Sequence, residues 1–465
     1  MSRETKLIKN TLIISIGTIC PKLASLITLP LFTAYLSTQE YGTFDLINTL
    51  SFLFVPLATL QIQSAAFRYL IEQRTDNEAK KKTITNILIF LIPISLVALV
   101  GLFFILFKIS FLTRILICAY FFLDAFNSAL GQIARGLGQN LDYSISGLIT
   151  SFVNVLIVCV FIFAFHLRLD GILLSLTLST LISIVFLTIR TKYYSYVDFS
   201  QYDRKYLKEL LKYSFGMVPN TLSQWVMNLS DRLIVTAVLG VSSNAIYAVA
   251  NKIPSLFSLV QTTFSMGWLE SASLAVNDDD SSEYYSRMFD TVFCLMTGLM
   301  ALLISSTPII FSWLIRGNYD EAYPQMPILY MGLFFSVISV FLGGIYVANK
   351  KSKNQGITTT VAAAVNLVIN LLLVNHLGIY AASISTMVSF LFLCIYRMIH
   401  IQTFQPIKYN FWKIGAGILI LSGMGWLCYQ QMIIFNVLNI VIAVAVFAIF
   451  NKSLISHLIK RKKSF

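Results

Sequence analysis

The sequence predicts an all-α polytopic membrane protein with about fourteen transmembrane helices, arranged as two six-helix lobes in a parallel repeat plus two C-terminal helices. Composition is the first reason: 57% of the 465 residues are hydrophobic, 12% are charged and the mean hydropathy is +0.76. Soluble domains carry about 25% charged residues. The other reasons are a series of apolar runs, each long enough to cross a bilayer, and an internal repeat.

Apolar runs of about 20 residues define the predicted spans. They lie at 12–36, 42–71, 83–107, 111–136, 143–165, 169–190, 210–239, 244–275, 286–314, 323–349, 355–375, 378–399, 410–429 and 432–451. The longest connection, Thr191 to Glu209, contains YLKELL, which predicts an amphipathic interfacial helix between the halves. The predicted organisation is an N-terminal lobe (1–192), a cytoplasmic linker (193–209), a C-terminal lobe (210–402), and helices 13 and 14 with a basic tail (403–465).

Two pairs of segments indicate the repeat. YLSTQEYGTFDLIN (35–48) aligns with VLGVSSNAIYAVAN (238–251), and GQNLDYSISGLITSFVNVLI (138–157) aligns with KKSKNQGITTTVAAAVNLVI (350–369). The offsets are about 203 and 212 positions and keep the same order. An even number of spans in each half gives both halves one orientation, so we expect a substrate site between them.

Charge bias predicts the topology. The two tails and the even-numbered loops hold 26 of the 34 Lys and Arg residues, and the odd-numbered loops hold four. By the positive-inside rule, both termini are cytoplasmic, and the basic excess requires no nucleic acid. No signal peptide is expected, because MSRETKLIKN leads into an apolar run too long for one. The six cysteines fall in apolar segments and indicate neither disulfides nor a certain metal site.

Ionisable residues remain within the spans, where they are costly and usually functional. The cations are Lys22, Arg68, Arg232 and Lys252, and the carboxylates are Asp45, Asp124 and Asp231. They could form interhelical ion pairs. The excess of cations instead favours a basic lining for an anionic ligand.

Polar residues at helical spacing extend this lining. Asn220, Gln224 and Asn228 follow one face of span 7 toward Asp231, and Asn251 precedes Lys252 in span 8. Adjacent residues point about 100° apart on a helix. Asp231 and Arg232 are therefore not expected to be each other's main partner. We predict that these polar residues bind substrate in a cavity.

Several segments resemble one superfamily of transporters. LPLFTAYLSTQEYGTFDLINTL, DRLIVTAVLGVSSNAIYAVANKI and VANKKSKNQGITTTVAAAVNLVINLLLVNHLGIYAAS are similar to the polysaccharide-export branch of the multidrug/oligosaccharidyl-lipid/polysaccharide (MOP) exporters, above all to O-antigen flippases of the Wzx type. The resemblance implies a multi-pass protein of the bacterial inner membrane. It would move an undecaprenyl-pyrophosphate-linked oligosaccharide from the cytoplasmic to the periplasmic leaflet, alongside membrane lipids and other polysaccharide assembly proteins.

The more distant lipid II flippases suggest an ion site. The positions that look like their sodium site are Asp231, Asn366, Asn370 and Thr386. The lipid II flippases have a second carboxylate at the position of the neutral Asn370. A proton on Asp231, Asp45 or Asp124 is therefore the alternative to Na⁺ as the coupling ion. The resemblance implies no other cofactor. It also implies that spans 13 and 14 face lipid and border a groove for the isoprenoid tail.

Two other functions fit the sequence less well. A cation-coupled multidrug exporter of the same superfamily typically has twelve spans and cationic substrates, which fits fourteen spans and four cations poorly. An oligosaccharide polymerase or ligase would need long periplasmic loops and catalytic residues, but the odd-numbered loops are short and no such constellation is recognisable. The sequence therefore favours a flippase over an enzyme.

Overall fold

The structure, a computed structural model, describes residues 20–107, 109–276 and 278–452. Every regular element in these ranges is a helix, and they contain no β-strand, which confirms the all-α class. The chain divides into two compact units, Met1–Trp225 and Val226–Phe465. The boundary falls within one helix.

Unit 1 contains eight described helices. They are α1 (helical residues 20–35), α2 (Thr38–Thr59), α3 (Ile62–Glu72), α4 (Asn77–Ile105), α5 (Phe111–Gly136), α6 (Asn140–Phe163), α7 (Leu169–Thr191) and α8 (Arg204–Phe215). The start of predicted span 1 lies outside the described residues. The helix α9 (Val218–Leu239) contains the boundary between the units.

Unit 2 continues with eight further α-helices among the described residues. They are α10 (Val241–Lys252), α11 (Phe257–Ala275), α12 (Ser281–Leu314), α13 (Met326–Ala348), α14 (Ser352–Leu377), α15 (Tyr380–Ile401), α16 (Phe411–Tyr429) and α17 (Ile433–Phe450). Most of the predicted basic C-terminal tail lies outside the described residues.

Eleven of the described helices are long and apolar enough to cross a membrane. They are α2, α4, α5, α6, α7 and α12 to α17, with α13 preceded by a 3₁₀ turn at Asp320–Gln325. The predicted spans 1, 7 and 8, which carry polar stripes, are absent from this set. The multi-pass architecture is confirmed, and the count of fourteen stays a prediction.

Three predicted spans are interrupted. Span 42–71 divides into α2 and α3 at Leu60 and Gln61, whose positive φ values of 49° and 58° stop a right-handed helix. Span 210–239 takes in the end of α8 and all of α9. Span 244–275 divides at Pro254, which begins a 3₁₀ turn between α10 and α11. Hydrophobic run length alone could not predict these breaks.

The core of unit 1 lies among α3, α4, α5 and α8. Apolar residues from all four helices, including Leu70, Ile87, Ile133 and Leu210, are fully buried together. The predicted amphipathic helix is present as α8. Its Tyr206 hydroxyl lies 2.7 Å from Thr83 Oγ1 on α4, so the linker docks through both apolar and polar contacts.

The core of unit 2 surrounds α13, which packs against α11, α12, α14, α15 and α16. The aromatic side chains Tyr330, Phe334 and Tyr346 of α13 are fully buried. The C-terminal α16 and α17 pack against α12, and several of their apolar residues, such as Leu419 and Ile433, are exposed. This exposure suits the predicted contact with lipid.

The predicted repeat agrees with where helices begin. Helices α2 and α10 start at Thr38 and Val241, which are 203 positions apart. Helices α6 and α14 start at Asn140 and Ser352, which are 212 positions apart. Both separations equal the offsets of the aligned segments.

We predict that Gly344→Ala in α13 destabilises the protein. A Cβ at this position would lie 2.6 Å from Trp268 Nε1, which donates a hydrogen bond of 2.8 Å to the Phe341 carbonyl. Overpacking of this kind costs about 1–3 kcal/mol of unfolding free energy. Thermal unfolding in detergent should show a lower midpoint than wild type. Gly423→Ala in α16 is the control, because nothing lies within 4 Å of its Cβ position; equal midpoints for both variants would contradict the prediction.

Candidate functional site

A buried carboxylate joins four helices of unit 2. Asp231 in α9 is 2% exposed. Asn370 Nδ2 of α14 donates to its Oδ1 at 2.6 Å, and Thr386 Oγ1 of α15 donates to its Oδ2 at 2.6 Å. The Tyr247 hydroxyl of α10 also donates to Oδ2, at 3.1 Å. The structure thus brings together three of the four residues predicted for an ion site through direct hydrogen bonds.

The fourth, Asn366, lies one helical turn before Asn370 and beside the same carboxylate. It is fully buried, and neither its amide oxygen nor its amide nitrogen has a hydrogen-bond partner among the described residues. The Oδ1 atom of Asn370 also lacks one. Buried polar atoms without partners are rare in native proteins and often indicate a bound water or ion.

These atoms form an oxygen-rich group with one formal negative charge. The donors available to a cation are the Asp231 carboxylate, the Thr386 hydroxyl and the amide oxygens of Asn366 and Asn370. Rotating the Asn370 side-chain amide by 180° places its oxygen, instead of its nitrogen, toward the carboxylate. Oxygen ligands suit hard cations. The residues present therefore fit either a sodium ion or a proton.

No positive partner neutralises Asp231. Each of its contacts in the described part of the chain is with a neutral side chain, and Arg232 is not among them. This disagrees with the alternative in which Asp231 anchors its helix to a neighbouring cation. A buried charge with only neutral partners is costly in low dielectric, so binding of a cation or proton would be favourable here.

The four cations predicted to form a basic lining differ in their exposure and in their ion pairing. Arg68 forms an ion pair of 2.5 Å with Glu72, one turn along α3, and both side chains are more than half exposed. The break at Leu60 puts Arg68 on a separate short helix rather than on one continuous span. Lys22 is also exposed, whereas Arg232 and Lys252 are half-buried in unit 2.

The predicted polar face of α9 is exposed. Asn220, Gln224 and Asn228 all have exposed side chains, at successive intervals of four residues. On a helix of a membrane protein, such a face borders water or protein, since lipid would penalise it. Asn251 on α10 instead donates to the Tyr247 carbonyl of its own helix at 2.9 Å.

The other predicted carboxylates belong to unit 1. Asp45 in α2 is buried at 4% exposure. Asp124 in α5 is half-buried and accepts a hydrogen bond of 2.5 Å from Ser51 of α2. The two therefore belong to a different compact unit from Asp231.

Sequence reasoning missed Arg397. This residue lies within predicted span 378–399 but was not among the four cations predicted to lie in the spans, and its side chain is 3% exposed within α15. Its guanidinium donates to Thr358, Thr359 and the Gln355 carbonyl of α14, and to the Ser339 carbonyl of α13, at 2.7–3.3 Å. The adjacent hydroxyls of Thr358 and Thr359 were the sequence feature that could have indicated a buried polar partner.

A family of polysaccharide biosynthesis proteins matches residues 7–269 of the chain. No curated protein matches the chain. The family match covers unit 1 and the beginning of unit 2, including α9 and α10.

Several solved structures share the fold. The lipid II flippase MurJ, in an inward closed conformation, matches with a TM-score of 0.75 at 16% identity, over 96% of this chain and 100% of that one. An inward-facing multidrug resistance transporter of the MATE family, within the MOP superfamily, gives 0.67 at 14% identity, over 84% and 98%. A MOP transporter from Pyrococcus furiosus gives 0.58 at 14%, over 85% and 95%. These likenesses establish the MOP transporter fold.

We expect Arg397→Leu to lower the stability of unit 2. The change removes four hydrogen bonds from a charged donor that joins α13, α14 and α15. Losing hydrogen bonds to a charged group costs about 1.5–3 kcal/mol. Chemical denaturation in detergent measures the effect, with Arg287→Leu, an exposed arginine, as control. A wild-type midpoint for Arg397→Leu would mean that the desolvation cost of the buried charge cancels its hydrogen bonds.

Proposed function

The chain belongs to the polysaccharide biosynthesis protein family, and on that premise we propose that it is a flippase for a lipid-linked oligosaccharide. Its substrate would be an undecaprenyl-pyrophosphate-linked O-antigen repeat unit, moved from the cytoplasmic to the periplasmic leaflet of a bacterial inner membrane. Support comes from the family and from the fold shared with MurJ, a flippase for lipid II.

The observation on which the proposed energy coupling rests is the Asp231 site. Its carboxylate meets only neutral partners, and unpartnered amide oxygens lie beside it. Na⁺ or H⁺ binding would neutralise Asp231. No further cofactor is proposed.

Coupling requires that the ion bind one conformation better than another. Asp231 joins α9 to α10, α14 and α15 through three side chains. A bound sodium ion would draw the amide oxygens inward, whereas a proton would turn one carboxylate oxygen into a donor. Either event changes the contacts between these helices, and this change would bias alternating access.

A diphosphate crossing low dielectric needs fixed positive charge, because Coulomb interactions there are several-fold stronger than in water. Lys22, Arg232 and Lys252 are the proposed ligands of the pyrophosphate. Arg68 contributes less, since Glu72 already pairs with it. The exposed amides at Asn220, Gln224 and Asn228 would bind sugar hydroxyls.

The second candidate function is a cation-coupled multidrug exporter. The fold shared with a MATE multidrug transporter favours it. The family match and the cations of α1, α9 and α10 favour the flippase. The two differ in substrate charge, so transport of an anionic lipid-linked sugar rather than a cationic drug discriminates between them.

Lys252→Ala should reduce flipping at least about tenfold, the effect of losing one hydrogen bond to a charged group, with protein levels unchanged. Lys252→Arg should retain part of the activity. The measurement is surface polysaccharide and accumulated lipid-linked intermediate in a deletion strain carrying each variant. Lys353→Ala, an exposed lysine at the start of α14, is the control. Wild-type export by the Ala variants of Lys22, Arg68, Arg232 and Lys252 alike would rule out the basic lining.

Asp231→Asn should uncouple transport from the ion. In proteoliposomes loaded with the lipid-linked oligosaccharide, an imposed sodium or proton gradient should accelerate wild-type flipping, and the identity of that gradient names the ion. The Asn variant keeps the shape of the site but removes its charge, so its rate should not respond. Asp124→Asn tests the rival carboxylate, and Asp279→Asn serves as an exposed control. The coupling role is wrong if wild type ignores both gradients or if Asp231→Asn responds normally.

A further inference from the structure

An apolar groove lies among α12, α13, α15 and α16, away from the Asp231 site. Its volume is about 690 Å³. Aromatic and aliphatic side chains line it, among them Phe293 of α12, Ile338 of α13 and Ile418 of α16. Polar lining is confined to a few groups, including Gln402 and Tyr409.

Apolar side chains at the rim of the groove are exposed. Ile395 and Ile399 on α15 are 48% and 67% exposed, and Phe411 on α16 is 71% exposed. All three line the groove. Their position on membrane-crossing helices gives the hydrocarbon of the bilayer direct access to it.

A polar cavity of about 540 Å³ adjoins one end of the groove and shares Tyr409 and Phe411 with it. Its other lining residues come from the first turns of α12 and from residues 408–412. They are Ser286, Arg287, Asp290, Lys408, Asn410 and Trp412. The site is thus amphipathic, with an apolar channel continuing into a polar mouth.

The mouth is held in place by hydrogen bonds between the loop after α15 and α12. The Lys408 amide donates to Ser286 Oγ at 2.9 Å, and Ser282 donates to the Pro406 carbonyl. Within the loop, Gln402 makes reciprocal bonds with the Ile407 backbone, at 2.8 and 3.1 Å. The loop therefore presents a preformed surface.

Charges at the mouth favour an anion. Lys408 forms no ion pair with any described carboxylate. Arg287 contacts Asp280 and Glu283 only at 3.6 and 3.9 Å, with all three side chains well exposed. Asp290 is already paired with Lys413 at 2.8 Å. Lys408 thus remains available to a ligand at this end of the groove, and Arg287 is held only by two long, exposed ion pairs.

We propose that this site binds one anionic phospholipid of the surrounding membrane. An acyl chain occupies the apolar groove, and the phosphate contacts Lys408, Arg287 and Asn410. Trp412, 91% exposed, lies at the headgroup level, where aromatic side chains concentrate in membrane proteins. The charge bias of the loops places this mouth at the cytoplasmic surface, where anionic lipids attract Lys and Arg.

The volume favours a phospholipid over the isoprenoid carrier. At about 30 Å³ for each water-sized group, the groove accommodates roughly twenty such groups. That is the size of one acyl chain. An undecaprenyl chain, built of eleven isoprene units, is far larger.

Native mass spectrometry of the purified full chain tests the proposal. Phosphatidylglycerol and phosphatidylcholine of identical chains are titrated separately, and one phosphatidylglycerol should remain bound at concentrations that leave phosphatidylcholine unbound. Lys408→Ala should weaken binding about fivefold, the effect of one cation near a membrane surface. Ile395→Trp should weaken it by filling the groove from its exposed side. Lys353→Ala, an exposed lysine outside the groove, should bind as wild type.

Three results would overturn the proposal. One is equal binding of phosphatidylglycerol and phosphatidylcholine, which would indicate ordinary lipid packing. Another is unchanged binding in both Lys408→Ala and Ile395→Trp while each unfolds at the wild-type temperature. The third is displacement of phosphatidylglycerol by equimolar undecaprenyl phosphate, which would make the isoprenoid carrier the occupant. The test requires no flipping, so its outcome is independent of the proposed transport activity.

Discussion

A membrane removes the water that would otherwise solvate polar groups, so each buried polar group must be satisfied within the protein. The described helices meet this demand mostly with neutral partners. Asp231 accepts from an amide and two hydroxyls, Asp124 accepts from Ser51, and Arg397 donates to two hydroxyls and two carbonyls. The arrangement of α13, α14 and α15 depends on these contacts, because displacing any one helix would leave a charge without its partners.

The two buried charges among the described residues of unit 2, Asp231 and Arg397, differ in what they can do. A guanidinium stays protonated under physiological conditions, so Arg397 acts as a permanent bond between three helices. A carboxylate can bind a proton or a cation and lose its charge. The Asp231 network therefore has two electrostatic states, whereas the Arg397 network has one. Asp231 also lies on α9, the helix that contains the boundary between the two compact units.

The apolar surface of unit 2 includes two regions of different shape. Along α17, single exposed aliphatic residues such as Ile433 and Val441 offer a surface that any hydrocarbon can solvate. Between α15 and α16, the surface is concave and ends at a structured basic loop. Only the concave surface can distinguish one lipid from another, because selectivity requires a shape that fits the acyl chain and a charge that binds the headgroup.

Composition, charge bias and run length were enough to predict the all-α polytopic class, and the aligned segments predicted the registers at which α2 and α10, and α6 and α14, begin. These properties follow from local hydropathy and from the sequence similarity of the two halves. The likeness of Asp231, Asn366, Asn370 and Thr386 to a known site also anticipated their proximity. The tertiary structure decided the rest. It broke span 42–71 and so placed Arg68 on a separate helix beside Glu72, and it buried Arg397, which the sequence had not singled out among the cations within the spans. It also added Tyr247 to the Asp231 site, because the partners of a buried charge are determined by which helices pack together, and that depends on contacts between residues far apart in the chain.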